Sequence, residues 1–161
     1  MIEFKEIYEV YSTDVYRFAL WLSGDSHEAE DITSKTFVRA LIKRSTIRTE
    51  TLKAYLFTIA RNIHLERLRR NKRQIALVAD HPDPAPQPDK VVESRFELRR
   101  VRGILRTLPE IDRTAFIMRV QLELPYAEIA RVLELSLPAA KAKVHRVRKK
   151  LIADCLEREV Y

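Results

Sequence analysis

The sequence predicts an all-α protein, with two small helical domains joined by a proline-rich linker and a helix-turn-helix in the second domain. Apolar residues recur at spacings of three and four, and no segment alternates as a strand would. Only two glycines occur in 161 residues. Four of the seven prolines fall between residues 79 and 90, where large apolar side chains are almost absent. We expect domains over 1–74 and 93–161, with 75–92 as the linker.

Three helices are predicted in the first domain. A stripe of apolar residues indicates a helix over 3–22 that ends near Gly24. A second helix should begin at Ser26 and run to about residue 42, and a third should span about 51–72. The third helix ends in the basic sequence ERLRRNKR, which favours an anionic partner.

The second domain should begin with a helix over 96–105, followed by another that starts at Pro109. The segment 126–151 then reads as two helices separated by a tight turn. The predicted core side of the first is formed by Ala127, Ile129, Ala130 and Leu133, and that of the second by Ala140, Val144, Val147 and Leu151.

The second helix of this pair is strongly basic on its outer side. Residues 138–150 contain six Lys or Arg and no acid. A solvated helix face normally mixes both signs of charge, so this run favours phosphate binding. Base contacts should come from the first turns of the helix. The candidates are Pro138, Ala139, Lys141, Ala142 and His145.

Charge is unevenly distributed along the chain. The total is 30 Lys and Arg against 23 Asp and Glu, with a pI near 9.7, which suggests a polyanionic partner. Residues 1–40 carry eight acids and four bases, whereas 41–74 carry two acids and ten bases. The first segment should repel DNA and the second should attract it.

Several classes of site are disfavoured. Cys155 is the only cysteine, which excludes an internal disulfide and a cysteine-cluster zinc site, and we expect a buried thiol. His64 and His145 have no Cys or second His at metal-ligand spacing, so DNA contact or surface placement is expected instead, and no cofactor is predicted. Without an apolar span or signal peptide, the chain is expected to be cytoplasmic.

Three segments resemble the signature segments of extracytoplasmic-function sigma factors. They are EAEDITSKTFVRAL (28–41), LKAYLFTIARNIHLERLRR (52–70) and the stretch LPEIDRTAF…VRKKL (108–151). They occur in the family's order, with a proline-rich segment where the family joins its two domains. The resemblance implies a non-enzymatic subunit that binds core RNA polymerase, recognises the minus-35 and minus-10 promoter elements, and is sequestered by an anti-sigma factor.

The resemblance also implies three groups of site residues. The polymerase clamp would be bound by Glu30, Asp31, Ser34 and Lys35. Single-stranded minus-10 DNA would be bound by Arg44, Ser45, Arg48, Lys53, Arg61, Asn62, His64, Arg67, Arg69 and Arg70. Duplex minus-35 DNA would be bound by Ser136, Pro138, Lys141, Lys143, His145, Arg146, Arg148 and Lys149.

Some residues depart from the family pattern. The clamp-binding helix usually reads Asp-Leu-x-Gln-Glu, whereas this chain has Asp-Ile-Thr-Ser-Lys at 31–35. Pro125 replaces a capping Ser or Thr, and Pro138 replaces an early glycine of the recognition helix. Glu134 stands where the turn usually has glycine, so the turn either adopts a left-handed residue at a cost of roughly 1–2 kcal/mol or is remodelled. Ser136 and Leu137 both remain candidates for the N-cap.

Two other classes of protein fit parts of the sequence. A conventional helix-turn-helix regulator would use only the C-terminal module and bind duplex sites as a dimer, which leaves the basic segment 43–73 unexplained. An enzyme would use the acidic cluster at 28, 30 and 31 as a metal site, yet these carboxylates do not share one helix face.

Overall fold

The computed structural model describes residues 3–43, 45, 52–77 and 94–159, which form seven α-helices and no strand. The helices are α1 (Phe4–Ser23), α2 (Ser26–Ile42), α3 (Leu52–Leu77), α4 (Ser94–Arg106), α5 (Glu110–Val120), α6 (Tyr126–Leu133) and α7 (Leu137–Glu159). The predicted all-α class is confirmed. None of the helices in the described residues is long and apolar enough to cross a membrane.

The helix boundaries follow local sequence signals. Gly24 ends α1 with a φ of 72°, a left-handed conformation that glycine adopts without steric cost. The Asp25 side chain then caps α2 by accepting hydrogen bonds from the backbone N–H groups of His27 and Glu28, at 2.7 and 3.4 Å. The predicted start of α2 at Ser26 is therefore confirmed.

Helices α1, α2 and α3 pack against one another. Phe18 and Phe57 are fully buried where α1 meets α3, and their ring centroids lie 5.1 Å apart in an edge-to-face arrangement. Helix α3 is longer than predicted, because residues 73–77 remain helical. Residues 75–77, the start of the predicted linker, therefore belong to α3, while its remainder lies outside the described residues.

Helices α5, α6 and α7 form the second unit, and α4 packs against α5 and α7. Ala140, Val144 and Val147 are completely buried along one side of α7, as their spacing predicts. Contacts of α3 with α6 and of α1 with α5 join the two units, so that one continuous apolar cluster runs through both.

Two positions that were expected to be buried, Ala127 and Cys155, are exposed. Burial in α6 begins at Ile129, one turn after the helix starts, and Ala127 is exposed. Tyr8 is 48% exposed, because its ring packs edge-on against Phe37 at the margin of the core rather than inside it. Cys155 is also exposed, since it lies beyond the part of α7 that is packed against α5 and α6.

Candidate nucleic-acid and polymerase interfaces

The turn between α6 and α7 keeps the geometry of a helix-turn-helix. Glu134 adopts φ 54° and ψ 48°, and the N–H of Leu135 donates to the carbonyl of Ala130 at 2.9 Å. The turn is therefore left-handed and not remodelled. The N–H of Ala139 donates to Ser136 Oγ at 3.2 Å, which makes Ser136 the N-cap of α7.

The two prolines fit this geometry. Pro125 directly precedes α6 and provides no side-chain cap. Pro138 is the second residue of α7, where a backbone N–H has no partner within the helix, so its missing donor costs little. These departures from the family pattern alter the capping chemistry and leave the helix-turn-helix intact.

Helix α7 presents an exposed basic stripe opposite its buried side. Pro138, Lys141, His145 and Lys149 are all exposed and follow spacings of three, four and four, which places them on one face. The Lys141 ammonium lies 5.9 Å from the centroid of the Tyr126 ring on α6. Arg146 and Arg148 are exposed beside this stripe. The face can therefore offer several cations to a duplex without rearrangement.

Lys143 does not belong to that exposed face. Its Nζ lies 3.1 Å from Oδ1 of Asp112, a buried residue of α5. Nη1 of Arg146 approaches the other carboxylate oxygen of Asp112 at 3.6 Å. Because a buried carboxylate requires a partner, Lys143 is occupied within the protein. Lys143, one of the minus-35 candidates, is therefore assigned by the fold to an internal ion pair.

Arg61 links α3 to the C-terminal unit through a bidentate ion pair. Its Nε and Nη2 donate to the two carboxylate oxygens of Glu110 at 3.0 and 2.8 Å, and Thr114 Oγ1 donates to the same carboxylate at 2.9 Å. Burial alone would raise the pKa of Glu110. The hydrogen bonds and charge of Arg61, with smaller contributions from Thr114 and Arg113, outweigh burial and lower that pKa.

His64 is buried close to this ion pair, so the expected surface placement is wrong. The pKa of His64 is lowered to about 4, first by burial and then by the positive charges of Arg113, Arg67 and Arg61, against an opposing effect of Glu110. The imidazole is therefore neutral near pH 7. Neither His64 nor Arg61 is free to contact DNA in this arrangement of the helices.

The remaining minus-10 candidates are more accessible. Asn62, Arg69 and Arg70 are exposed on α3, and Ser45 is exposed before it. Lys53 is half-buried, with its Nζ 3.4 Å from Oδ2 of Asp14. The candidates Arg44 and Arg48 lie outside the described residues.

The acidic surface of α2 is tied to α3. Oδ2 of Asp31 lies 3.1 Å from Nζ of Lys35 and 2.7 Å from Nη2 of Arg67. Lys35, the reversed charge in the family pattern, is thus paired with an acid one turn away. Glu30 and Ser34 remain exposed. Arg67, which was expected to bind minus-10 DNA, is thus paired with Asp31, which was expected to bind the polymerase clamp.

Glu110, Asp112 and Thr114 are structurally important residues that the sequence reasoning missed. Acidic residues in the first turn of a helix normally interact with its dipole, and nothing in their spacing indicates burial. Within the described residues, no group of three or more His, Cys, Asp or Glu is placed to hold a metal ion.

Comparison with known proteins identifies the family. Residues 7–74 match Sigma-70 region 2, and residues 98–151 match Sigma-70 region 4. The chain is 31% identical over 153 residues to the ECF RNA polymerase sigma factor SigM of Bacillus subtilis, with 92% of each chain covered. It is 30% identical to the ECF sigma factor SigE of Mycolicibacterium smegmatis, of which it spans 61% of the length.

A solved structure shares the fold. The sigma factor RpoE of Bartonella quintana, crystallised with the anti-sigma factor NepR, aligns with a TM-score of 0.76 and 25% identity over 92% of this chain and 93% of that one. The order of the two matched regions and the geometry of α6 and α7 agree with this likeness. The chain therefore belongs to the extracytoplasmic-function family of RNA polymerase sigma factors.

Proposed function

We propose that this sigma factor has three binding surfaces: one for core RNA polymerase, one for minus-35 duplex DNA and one for minus-10 single-stranded DNA. Membership of the family supports the activity, which is promoter-specific initiation by a subunit of RNA polymerase. Such a factor acts through binding energy rather than as an enzyme, and it works in the cytoplasm with the polymerase. The two domains are proposed to span 1–74 and 93–161.

The single observation that carries the minus-35 assignment is the exposed basic stripe of α7. Lys141, His145 and Lys149 lie on one outer face directly after the capped N-terminus at Ser136. A recognition helix enters the major groove with its first turns toward the base edges. Lys141 and His145 are therefore the proposed base readers, while Lys149, Arg146 and Arg148 contact phosphates. Lys143 positions the helix through Asp112 instead.

Capture of the minus-10 strand is assigned to α3. Asn62 carries an amide that can pair with an unstacked base, and Arg69 and Arg70 lie exposed further along the helix. Holding a base out of the stack offsets an unstacking cost of a few kcal/mol. Arg61 and His64 can join this surface only after the Arg61–Glu110 pair opens.

The acidic side of α2 is the proposed clamp contact. Glu30 and Ser34 are exposed, and Asp31 is held in place by Lys35 and Arg67. Restraint of Asp31 by two cations reduces the side-chain entropy lost on binding. The Bartonella quintana sigma factor was crystallised with an anti-sigma factor, which supports regulation of this chain by an anti-sigma protein as well.

The test is transcription from a promoter library with core polymerase and the intact chain. Asp31→Ala should weaken co-purification with core polymerase, whereas Lys141→Ala/His145→Ala should leave co-purification unchanged and reduce initiation. Lys5→Ala/Arg17→Ala, on the exposed side of α1, provides a control for lost positive charge. Binding to duplex DNA without polymerase-dependent initiation would contradict the proposal and favour a conventional regulator.

A further inference from the structure

A cavity of about 370 Å³ lies between the two helical units. Trp21 and Gly24 line it from the end of α1, Asn71 from α3, Arg102 from α4 and Arg113 from α5. Cavities of this size at the boundary between structural units are typical binding sites for small molecules. Of the described residues assigned above to DNA or polymerase, His64 alone lines this cavity.

The cavity is lined by three residues that carry guanidinium groups, Arg102, Arg106 and Arg113. Within the described residues, no carboxylate forms an ion pair with any of the three. Glu28 is the acidic residue among those that line the cavity, and the neighbouring His64 is neutral near pH 7. Three arginines and one glutamate therefore line the cavity, while the carboxylate of Glu110, which is paired with Arg61, also acts on the charge of Arg113.

Two of these guanidinium groups are held close together. Cζ of Arg102 lies 5.1 Å from the centroid of the Trp21 ring. A β-carbon added to Gly24 would lie 3.7 Å from Nη2 of Arg106 and 4.0 Å from Nη1 of Arg102, so both groups reach the same point of the backbone. Burial, and then the charge of Arg106, lowers the pKa of Arg102. Nε of Arg102 is buried without a hydrogen-bond partner.

We infer that this cavity binds a small multivalent phosphate anion, namely a pyrophosphate group, either free or carried by a nucleotide. Guanidinium groups bind phosphate oxygens through paired N–H donors, and the Asn71 amide adds a further donor. Arg102 already covers one face of the Trp21 ring, so charge rather than base stacking defines the site. A DNA duplex is too wide to enter a cavity of this volume.

Such a ligand would bridge the two helical units. It would contact the end of α1 on one side and Arg102 and Arg106 of α4 on the other. A ligand that binds one arrangement better than another shifts the population toward it. The bound anion would thus favour the arrangement in which Arg61 and His64 are covered.

The test is isothermal titration of the whole chain with pyrophosphate, at an ionic strength matched with chloride. Arg102→Gln/Arg106→Gln should weaken binding by about tenfold or more, because charge-assisted hydrogen bonds are lost. Lys5→Gln/Arg17→Gln, which removes the same charge from the exposed side of α1, should leave the affinity unchanged. Equal weakening in the two variants would overturn the site.

Glu28→Gln provides a change of opposite sign. Removal of the carboxylate that faces the arginines should tighten pyrophosphate binding severalfold, an effect that a misfolded variant would not produce. Unchanged or weaker pyrophosphate binding by Glu28→Gln would contradict the inference. A nucleoside diphosphate that binds more tightly than pyrophosphate identifies a nucleotide, whereas equal affinity identifies a free anion. No polymerase is present, so failure here leaves the proposed function untouched.

Discussion

Glu134 carries the backbone strain of the helix-turn-helix. Its backbone φ of 54° lies in the left-handed region, which glycine adopts without steric clash. Glu134→Gly should therefore raise the free energy of unfolding by about 1 kcal/mol, since the left-handed penalty exceeds the entropy that glycine adds to the unfolded chain. Urea unfolding measures the difference.

The control for that substitution lies in the neighbouring helix. Glu128 is in the first part of α6, at a position with helical backbone. Glu128→Gly should lower the free energy of unfolding by about 1 kcal/mol, because glycine disfavours the helix. If Glu134→Gly is as destabilising as Glu128→Gly, the strain at Glu134 is not what the turn geometry indicates.

His64 makes stability depend on pH. Its pKa is about 4 in the folded protein and 6.5 in the unfolded chain, so the unfolded state takes up a proton first as the pH falls. The free energy of unfolding should decrease from about pH 6.5 to pH 4, by at most about 3 kcal/mol from this residue. Glu110, whose pKa is lowered, adds a loss at still lower pH.

Substitution separates His64 from the other titrating groups. His64→Gln cannot take up a proton, so the slope of unfolding free energy against pH between 6.5 and 4 should become flatter. Asn62→Gln, at an exposed position of the same helix, changes no titrating group and should leave that slope as it is. A slope equal to the wild-type value in His64→Gln would show that this imidazole titrates normally.

At the scale of the element, α7 combines the proposed DNA contact with an internal ion pair. Asp112→Asn should lower the free energy of unfolding by about 2 kcal/mol, because the half-buried ammonium of Lys143 loses its partner. Urea unfolding, with Glu157→Gln on the exposed part of α7 as the control, measures the loss.

A double variant checks the cause of that loss. Asp112→Asn/Lys143→Gln removes both charges, so part of the lost stability should return. If the effects of the two single substitutions simply add, the residues do not form the coupled pair that their separation of 3.1 Å indicates.

The elements were largely predictable because their signals are local. Gly24, Ser26 and the apolar spacings of α1 and α7 determine helices from a few neighbouring residues. Two other features could not be predicted in this way. Pairing of Arg61 with Glu110 joins residues 49 positions apart, and burial of His64 depends on contacts between helices. The roles of the exposed site residues, and the division into two domains, stay predictions.

For the whole molecule, the two helical units are joined by apolar packing and by the Arg61–Glu110 ion pair. Helices α1 and α3 contact α5 and α6, and the Arg61–Glu110 pair lies 15% and 21% exposed at that junction. The same contact covers residues assigned to the minus-10 strand. We therefore propose that separation of the units is linked to binding of single-stranded DNA, because a ligand that needs the open arrangement binds in proportion to its population.

Glu110→Gln tests this linkage. Loss of the bidentate pair should raise the open population about tenfold and increase affinity for a single-stranded minus-10 oligonucleotide, measured by fluorescence anisotropy, together with the radius of gyration from X-ray scattering. Arg61→Gln should expand the molecule in the same way yet reduce DNA affinity, because it removes the contact as well as the pair. Glu123→Gln, at an exposed position, should change neither quantity. If Glu110→Gln and Arg61→Gln alter DNA affinity in the same direction, Arg61 does not contact the strand, and the ion pair only holds the units together.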